Sequence, residues 1–119
     1  MSGRGSAVVE FALVVPLVLA LVFGLVEVAL VSRAQLEVVN AAREGAREAA
    51  ASPDPADAVR AARSALGGAA GTARIWVRRP DVVGGRAEVR VTLPYRVAAP
   101  LFGGIGVEIT ARSAMRVER

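Results

Sequence analysis

The first third of the chain is almost continuously apolar. No charge interrupts the run from Phe11 to Val26, and with its flanks from Ala7 to Val31 the stretch is long enough to cross a hydrocarbon core of ~30 Å as a helix. Past it, Val38, Ala42, Gly45 and Ala49 recur at i, i+4, i+7 and i+11, while Arg33, Glu37, Asn40, Glu44 and Arg47 fall largely on another face. This is the 3.6-residue period of an amphipathic helix whose buried side is built from small residues. Small side chains let another backbone approach closely, so this half is predicted to lie on a sheet or a second helix. Arg33 and Glu37 are spaced to pair across one turn.

Ser52-Pro53-Asp54-Pro55 ends that helix, because proline disfavours helical geometry in the residue before it and has no amide donor. A second, shorter helix is predicted with Asp54 as its cap and Pro55 at its first position. Ala58, Ala62, Ala65 and Leu66 form its apolar edge, and Gly67-Gly68 stops it. Beyond Gly71 the period changes to two. Ile75 and Val77 alternate with Arg74, Trp76 and Arg78; Ala87 through Val97 alternate with Glu88, Arg90, Thr92 and Arg96; Ile105, Val107, Ile109 and Ala111 alternate with Glu108, Thr110 and Arg112. These are three half-buried strands, the first two joined as a hairpin through Pro80 to Gly85. Pro94 is expected to put its strand at an edge or a bulge. Trp76 falls on the polar side between arginines, where a cation–π stack is the ordinary reading and contact with another subunit the sharper one. Leu101 and Phe102, apolar for a loop, either fold back to plug the open end of the core or dock onto another subunit, and the sequence does not separate the two. The fold class is therefore α+β: a long N-terminal helix, transmembrane in its first half, packed on a short helix and a three-stranded antiparallel sheet.

Composition narrows the function. Among 119 residues there is no Cys and no His, so thiolate nucleophiles, imidazole proton shuttles and nearly all zinc sites are excluded. The remaining carboxylates and hydroxyls form no catalytic, phosphate-loop or Ca²⁺-loop motif. We read the chain as a non-enzyme with no catalytic residue, no metal, no cofactor and no small-molecule substrate. The net charge of +4 arises from 15 basic residues, all arginine, against 11 acidic ones. Because the arginines alternate with acidic and apolar residues and no stacking aromatics interleave them, no nucleic-acid partner is expected.

The apolar run could also be a cleaved signal peptide. It begins almost at once after Met-Ser-Gly-Arg-Gly, however, and holds a carboxylate, Glu10, just inside its start, so a retained helix with the bilayer as partner is the better reading. Pro16 is expected to loosen or kink it. A carboxylate at membrane depth costs ~2.5–3.5 kcal/mol on insertion scales, so Glu10 either lies at the interface or is protonated, or finds a cationic partner in a neighbouring subunit, the reading preferred here, whereas Glu27 reads as interfacial. Arginine positions determine the orientation poorly: Arg4 precedes the helix and Arg33, Arg43 and Arg47 follow it, a count that if anything points the wrong way for an exported domain.

Gly5-Ser6-Ala7-Val8-Val9-Glu10-Phe11 resembles the processing site of type IV prepilin-like proteins, with Glu10 the fifth residue counted from Ser6. Ala7 to Leu17, then Phe23-Gly24-Leu25-Val26-Glu27, then Ala41 to Ala50 (AAREGAREAA), resemble the TadE-like family of pseudopilins, minor components of tight-adherence (Flp) pilus machinery. Val89 to Tyr95 and the closing Ala114-Met115-Arg116 are similar in style, while Glu48 stands where an aromatic is frequent. The resemblance implies a pseudopilin-like fold, cleavage by a prepilin peptidase between Gly5 and Ser6, an assembly role for Glu10, and other pilin and pseudopilin subunits as partners. It divides the chain into a leader at 1–5, a transmembrane helix at 6–31 and an extracytoplasmic domain at 32–119 on the cytoplasmic membrane or cell surface. Two alternatives carry a different function: a single-pass membrane-anchored binding module that never enters a filament, and a secreted DNA- or matrix-binding protein released by signal peptidase.

Overall fold

The computed structural model describes residues 3–97 and 105–118. They form an α+β arrangement: helices α1 (Gly3–Ala51) and α2 (Pro55–Leu66), a 3₁₀ turn (Gly67–Ala69), and strands β1 (Arg74–Arg78), β2 (Arg86–Val97) and β3 (Ile105–Arg116). The chain divides into two compact units, Met1–Leu30 and Val31–Arg119.

The first unit is the apolar part of α1. Its large side chains are exposed on every side, from Val8 and Phe11 to Val28 and Leu30. A helix apolar all round is stable only in apolar surroundings, and α1 is the one helix among the described residues long and apolar enough to cross a membrane. Helical structure continues through Pro16 without a break, although that ring removes one backbone hydrogen bond.

In the second unit the small-residue face of α1 is buried as its period requires: Val38, Ala42, Gly45 and Ala49, widened by Ala34, Ala41, Ala46 and Ala50. Arg33 and Glu37 pair on the outer side at 3.5 Å, worth a few tenths of a kcal/mol at that exposure. The last carbonyls of α1, which no helical amide can reach, are met from three places. Ser52 N–H donates to Glu48 O at 2.8 Å, Arg79 Nε to Ala49 O at 2.8 Å, and Glu118 N–H to Ala50 O at 3.0 Å. Helix α2 starts as its sequence specifies, with Asp54 Oδ1 accepting from Ala56 N–H at 3.0 Å and Pro55 at the first position. It stops at Gly67, whose positive φ of 61° is open to glycine without strain.

The sheet is antiparallel in the order β1-β2-β3, so β2 is the central strand. This corrects the expectation from Pro94. The register from Arg86↔Arg116 to Val97↔Ile105 passes through Pro94↔Glu108 with no bulge. The proline is tolerated because β1 is short: its last rung is Arg74↔Thr92, so at Pro94 no β1 residue seeks a bond. The β1–β2 connection is the expected hairpin, with Gly84 at φ 89°. At Gly85 a Cβ would lie 2.7 Å from Pro80 Cγ and 3.0 Å from Val82 O, so only glycine fits between them. The same turn is tied to the chain after β3, where Gly84 N–H donates to Val117 O and Val117 N–H to Gly85 O.

Both helices pack on one sheet face. The core joins Val38 and the alanines of α1, Ala58, Ala62 and Leu66 of α2, Val89, Val91 and Leu93 of β2, and Ile109 and Val117. Its largest fully buried side chains are four valines, so close backbone approach stands in for bulky filling. Val107 departs from its expected burial. It lies near the open end of outer strand β3 and remains 42% exposed. Leu101 and Phe102 lie outside the described residues.

Candidate functional site

Gly5, Ser6 and Glu10 occupy the first turns of α1. Ser6 and Glu10 are four residues apart, which puts them on one helix face with Cβ atoms about 5–6 Å apart. Both are exposed, and the flanking side chains of Glu10 are Val8, Val9, Phe11 and Leu13, each more than half exposed. A single carboxylate thus sits in an apolar collar, one turn from the expected cleavage junction. Glu27 is about 26 Å further along the helix axis and roughly a quarter turn round from Glu10. Among the described residues neither carboxylate forms an ion pair within the chain.

Among the described residues no three His, Cys, Asp or Glu side chains gather as a metal site, and no buried side-chain nitrogen or oxygen lacks a hydrogen-bond partner. Asp57 is held in a structural arrangement at the helix corner. The Ser52 hydroxyl donates to Asp57 Oδ2 at 2.6 Å, and this bond, helped by the Arg60 charge, holds the Asp57 carboxyl below its ordinary value. It fastens the corner between α1 and α2.

What the sequence pattern concealed is the outward face of the sheet. Cross-strand partners stand on the same side, so Trp76, Arg90 and Arg112 form one rung, Arg78 and Glu88 the next, and Arg86 and Arg116 the last. The Arg90 guanidinium lies over the Trp76 ring, 5.2 Å from its centroid, as the ordinary reading of that tryptophan anticipates. Arg112 pairs with Glu88 at 2.9 Å and Arg74 with Glu108 at 2.7 Å. Strict alternation with apolar residues, taken above as diluting the arginines, is what places them all on one face once the strands pair in phase. The usable signal was the shared parity of the arginines in each strand.

Residues 5–47 match the family model described as TadE-like protein. That span begins at the Gly5-Ser6 junction and takes in Glu10, the apolar run and the small-residue face as far as Ala46, so the N-terminal resemblance read from the sequence is met there up to residue 47. The C-terminal likeness at Val89 to Tyr95 lies beyond it. No curated protein and no solved structure matches the chain.

Proposed function

We propose that this chain is a minor pseudopilin of a tight-adherence (Flp-type) system: a non-enzymatic structural subunit that assists assembly or anchoring of the pilus. The observation that carries the reading is the family match from residue 5 to 47, which contains both the junction and the carboxylate of a prepilin-type N-terminus together with the whole apolar helix. In this reading residues 6–31 cross the cytoplasmic membrane and residues 32–119 form the extracytoplasmic domain. A prepilin peptidase cuts between Gly5 and Ser6, and the bond it breaks leaves a new α-amino group on Ser6. That amine is a cation near the membrane surface.

A neighbouring pilin subunit displaced along the helix axis brings its own N-terminal amine to Glu10. Coulomb attraction at ~4 Å is about 4 kcal/mol at an effective dielectric near 20, comparable to the ~2.5–3.5 kcal/mol cost of placing the carboxylate at membrane depth. The pair therefore favours assembly, while a lone subunit carries the cost of the carboxylate uncompensated. The small-residue face of α1 has no such role, since it is buried against β2 and α2 within its own domain. N-terminal mass spectrometry of the membrane fraction tests the proposal: a chain beginning at Ser6 is expected, and a start beyond Leu17 contradicts it.

A further inference from the structure

The net positive charge of the molecule is concentrated on the outward face of the sheet. Among the described residues seven basic and two acidic side chains stand there, so the face carries +5 in a chain whose formal total is +4. Both glutamates are already engaged, Glu88 by Arg112 and Glu108 by Arg74. Among the described residues Arg78, Arg86, Arg96 and Arg116 have no carboxylate partner. Arg86 and Arg116 are directly opposite each other, an arrangement that destabilises a strand pair unless an anion lies between the two charges. From Arg86 to Arg96 the strip is about 33 Å long. Near its middle is Trp76, 46% exposed, with the Arg90 guanidinium over its ring.

We propose that this face binds a single-stranded polynucleotide laid along β2, with phosphates on the unpaired arginines and one base on the Trp76–Arg90 stack. Charge along a line with a flat aromatic at its centre matches a polymer whose repeating anions come with flat rings. Guanidinium planes and indoles are the side chains on which unpaired bases stack, and stacking needs no particular sequence. An anionic bilayer is a poorer match, because successive strands twist by about 20–25° and a flat surface cannot follow all three. The inference is independent of the pseudopilin reading, and it reverses the expectation that no nucleic acid is bound.

The test is fluorescence anisotropy of the full chain in zwitterionic lipid nanodiscs with a labelled oligothymidylate of about 16 nucleotides, the upper end of common single-strand site sizes. Binding at low salt is expected. The W76A variant weakens it roughly five- to a hundredfold with the salt slope unchanged, as loss of one stacked base does. The R86Q/R116Q double variant lowers the slope of log K against log salt by about 1.4, for two phosphate contacts at about 0.7 each. It also relieves the opposed charges, so a melting temperature no lower than that of the parent separates lost binding from unfolding. Arg33→Gln with Arg47→Gln, on the outer face of α1, changes neither quantity. Absence of binding at low salt overturns the proposal, as does equal weakening by the α1 variants. Duplex bound as tightly as single strand and indifferent to Trp76 overturns it, and so does capture of anionic vesicles without oligothymidylate binding.

Discussion

A Cβ built on Gly45 of α1 would lie 3.0 Å from Cγ1 of Val89 in β2. It would also be 3.3 Å from Ala62 Cβ and 3.4 Å from the Ala58 carbonyl oxygen of α2. Three elements converge on one glycine, and the domain closes there because that residue has no side chain.

The contact predicts a coupling. Gly45→Ala gains up to about 1 kcal/mol of helix propensity but must push Val89 Cγ1, at 3.0 Å, and Ala62 Cβ, at 3.3 Å, aside by a few tenths of an ångström. Gly45→Leu is expected to cost about 3 kcal/mol or more. Combining Gly45→Ala with Val89→Ala opens the space that the new methyl needs. The double variant is therefore expected to be more stable than the sum of the single effects by about 1 kcal/mol, read by denaturant melts in a double-mutant cycle. Additivity would show that Val89 yields freely.

Asp57 gives the domain an acid-side pH dependence. Its folded-state carboxyl is held below the ordinary value first by the Ser52 hydroxyl and then by the Arg60 charge. The stability it contributes is fully present above the unfolded value of about 3.9 and is lost as pH falls through the folded value. Asp57→Asn should leave the protein less stable than the parent at neutral pH, with the difference shrinking below about pH 4. Melting temperatures of both proteins across that range check it, and a difference that grows on acidification would reverse the assignment.

The chain after β3 closes the domain. Val117 is 2% exposed, its backbone bonds the Gly84–Gly85 turn on both sides, and the next amide caps α1 at Ala50. Val117→Ala is expected to cost about 2 kcal/mol, from two lost carbons and a residual cavity. It should also accelerate amide exchange at Gly84 and Glu118. Val107→Ala, the same change at a half-exposed position of β3, should cost well under about 1 kcal/mol. Equal costs would mean that the closing segment is not part of the cooperative unit.

Glu10 carries the prediction about assembly. Glu10→Gln and Glu10→Ala should leave cleavage and membrane insertion intact while reducing co-purification with other pilin subunits and reducing surface piliation. Glu27→Gln should do less, because it lies about 26 Å further along the helix than Glu10, which the proposed assembly sets against a neighbour's N-terminus. Pull-downs from membranes with piliation scored alongside decide this, and unchanged behaviour of both Glu10 variants would reduce the residue to an interfacial carboxylate.

What the sequence determined by itself is everything that rests on neighbours in the chain. The uncharged run marks the apolar helix because hydration cost depends on composition over some twenty residues. Asp54 and Pro55 start α2 because a cap acts within one turn. Val38 to Ala49 face the core, and the change from period 3.6 to period two past Gly71 announces strands, because side-chain direction is a local property of the backbone.

The tertiary structure alone decided what depends on residues distant in sequence. Periodicity says that a strand has two faces but not which strand lies between the others, and so β2 is central although it holds Pro94: the shortness of β1 leaves that proline no bond to break. Arg79 and Glu118 cap α1 at Ala49 and Ala50 from 30 and 68 positions away, through a hairpin and a closing segment whose placement only the packed core defines. The arginines seemed diluted along the chain because alternation separates them by one residue. They stand together across the sheet because the in-phase register of three strands, selected by burial of Val89, Val91 and Ile109 on one side, turns every alternate arginine to the other.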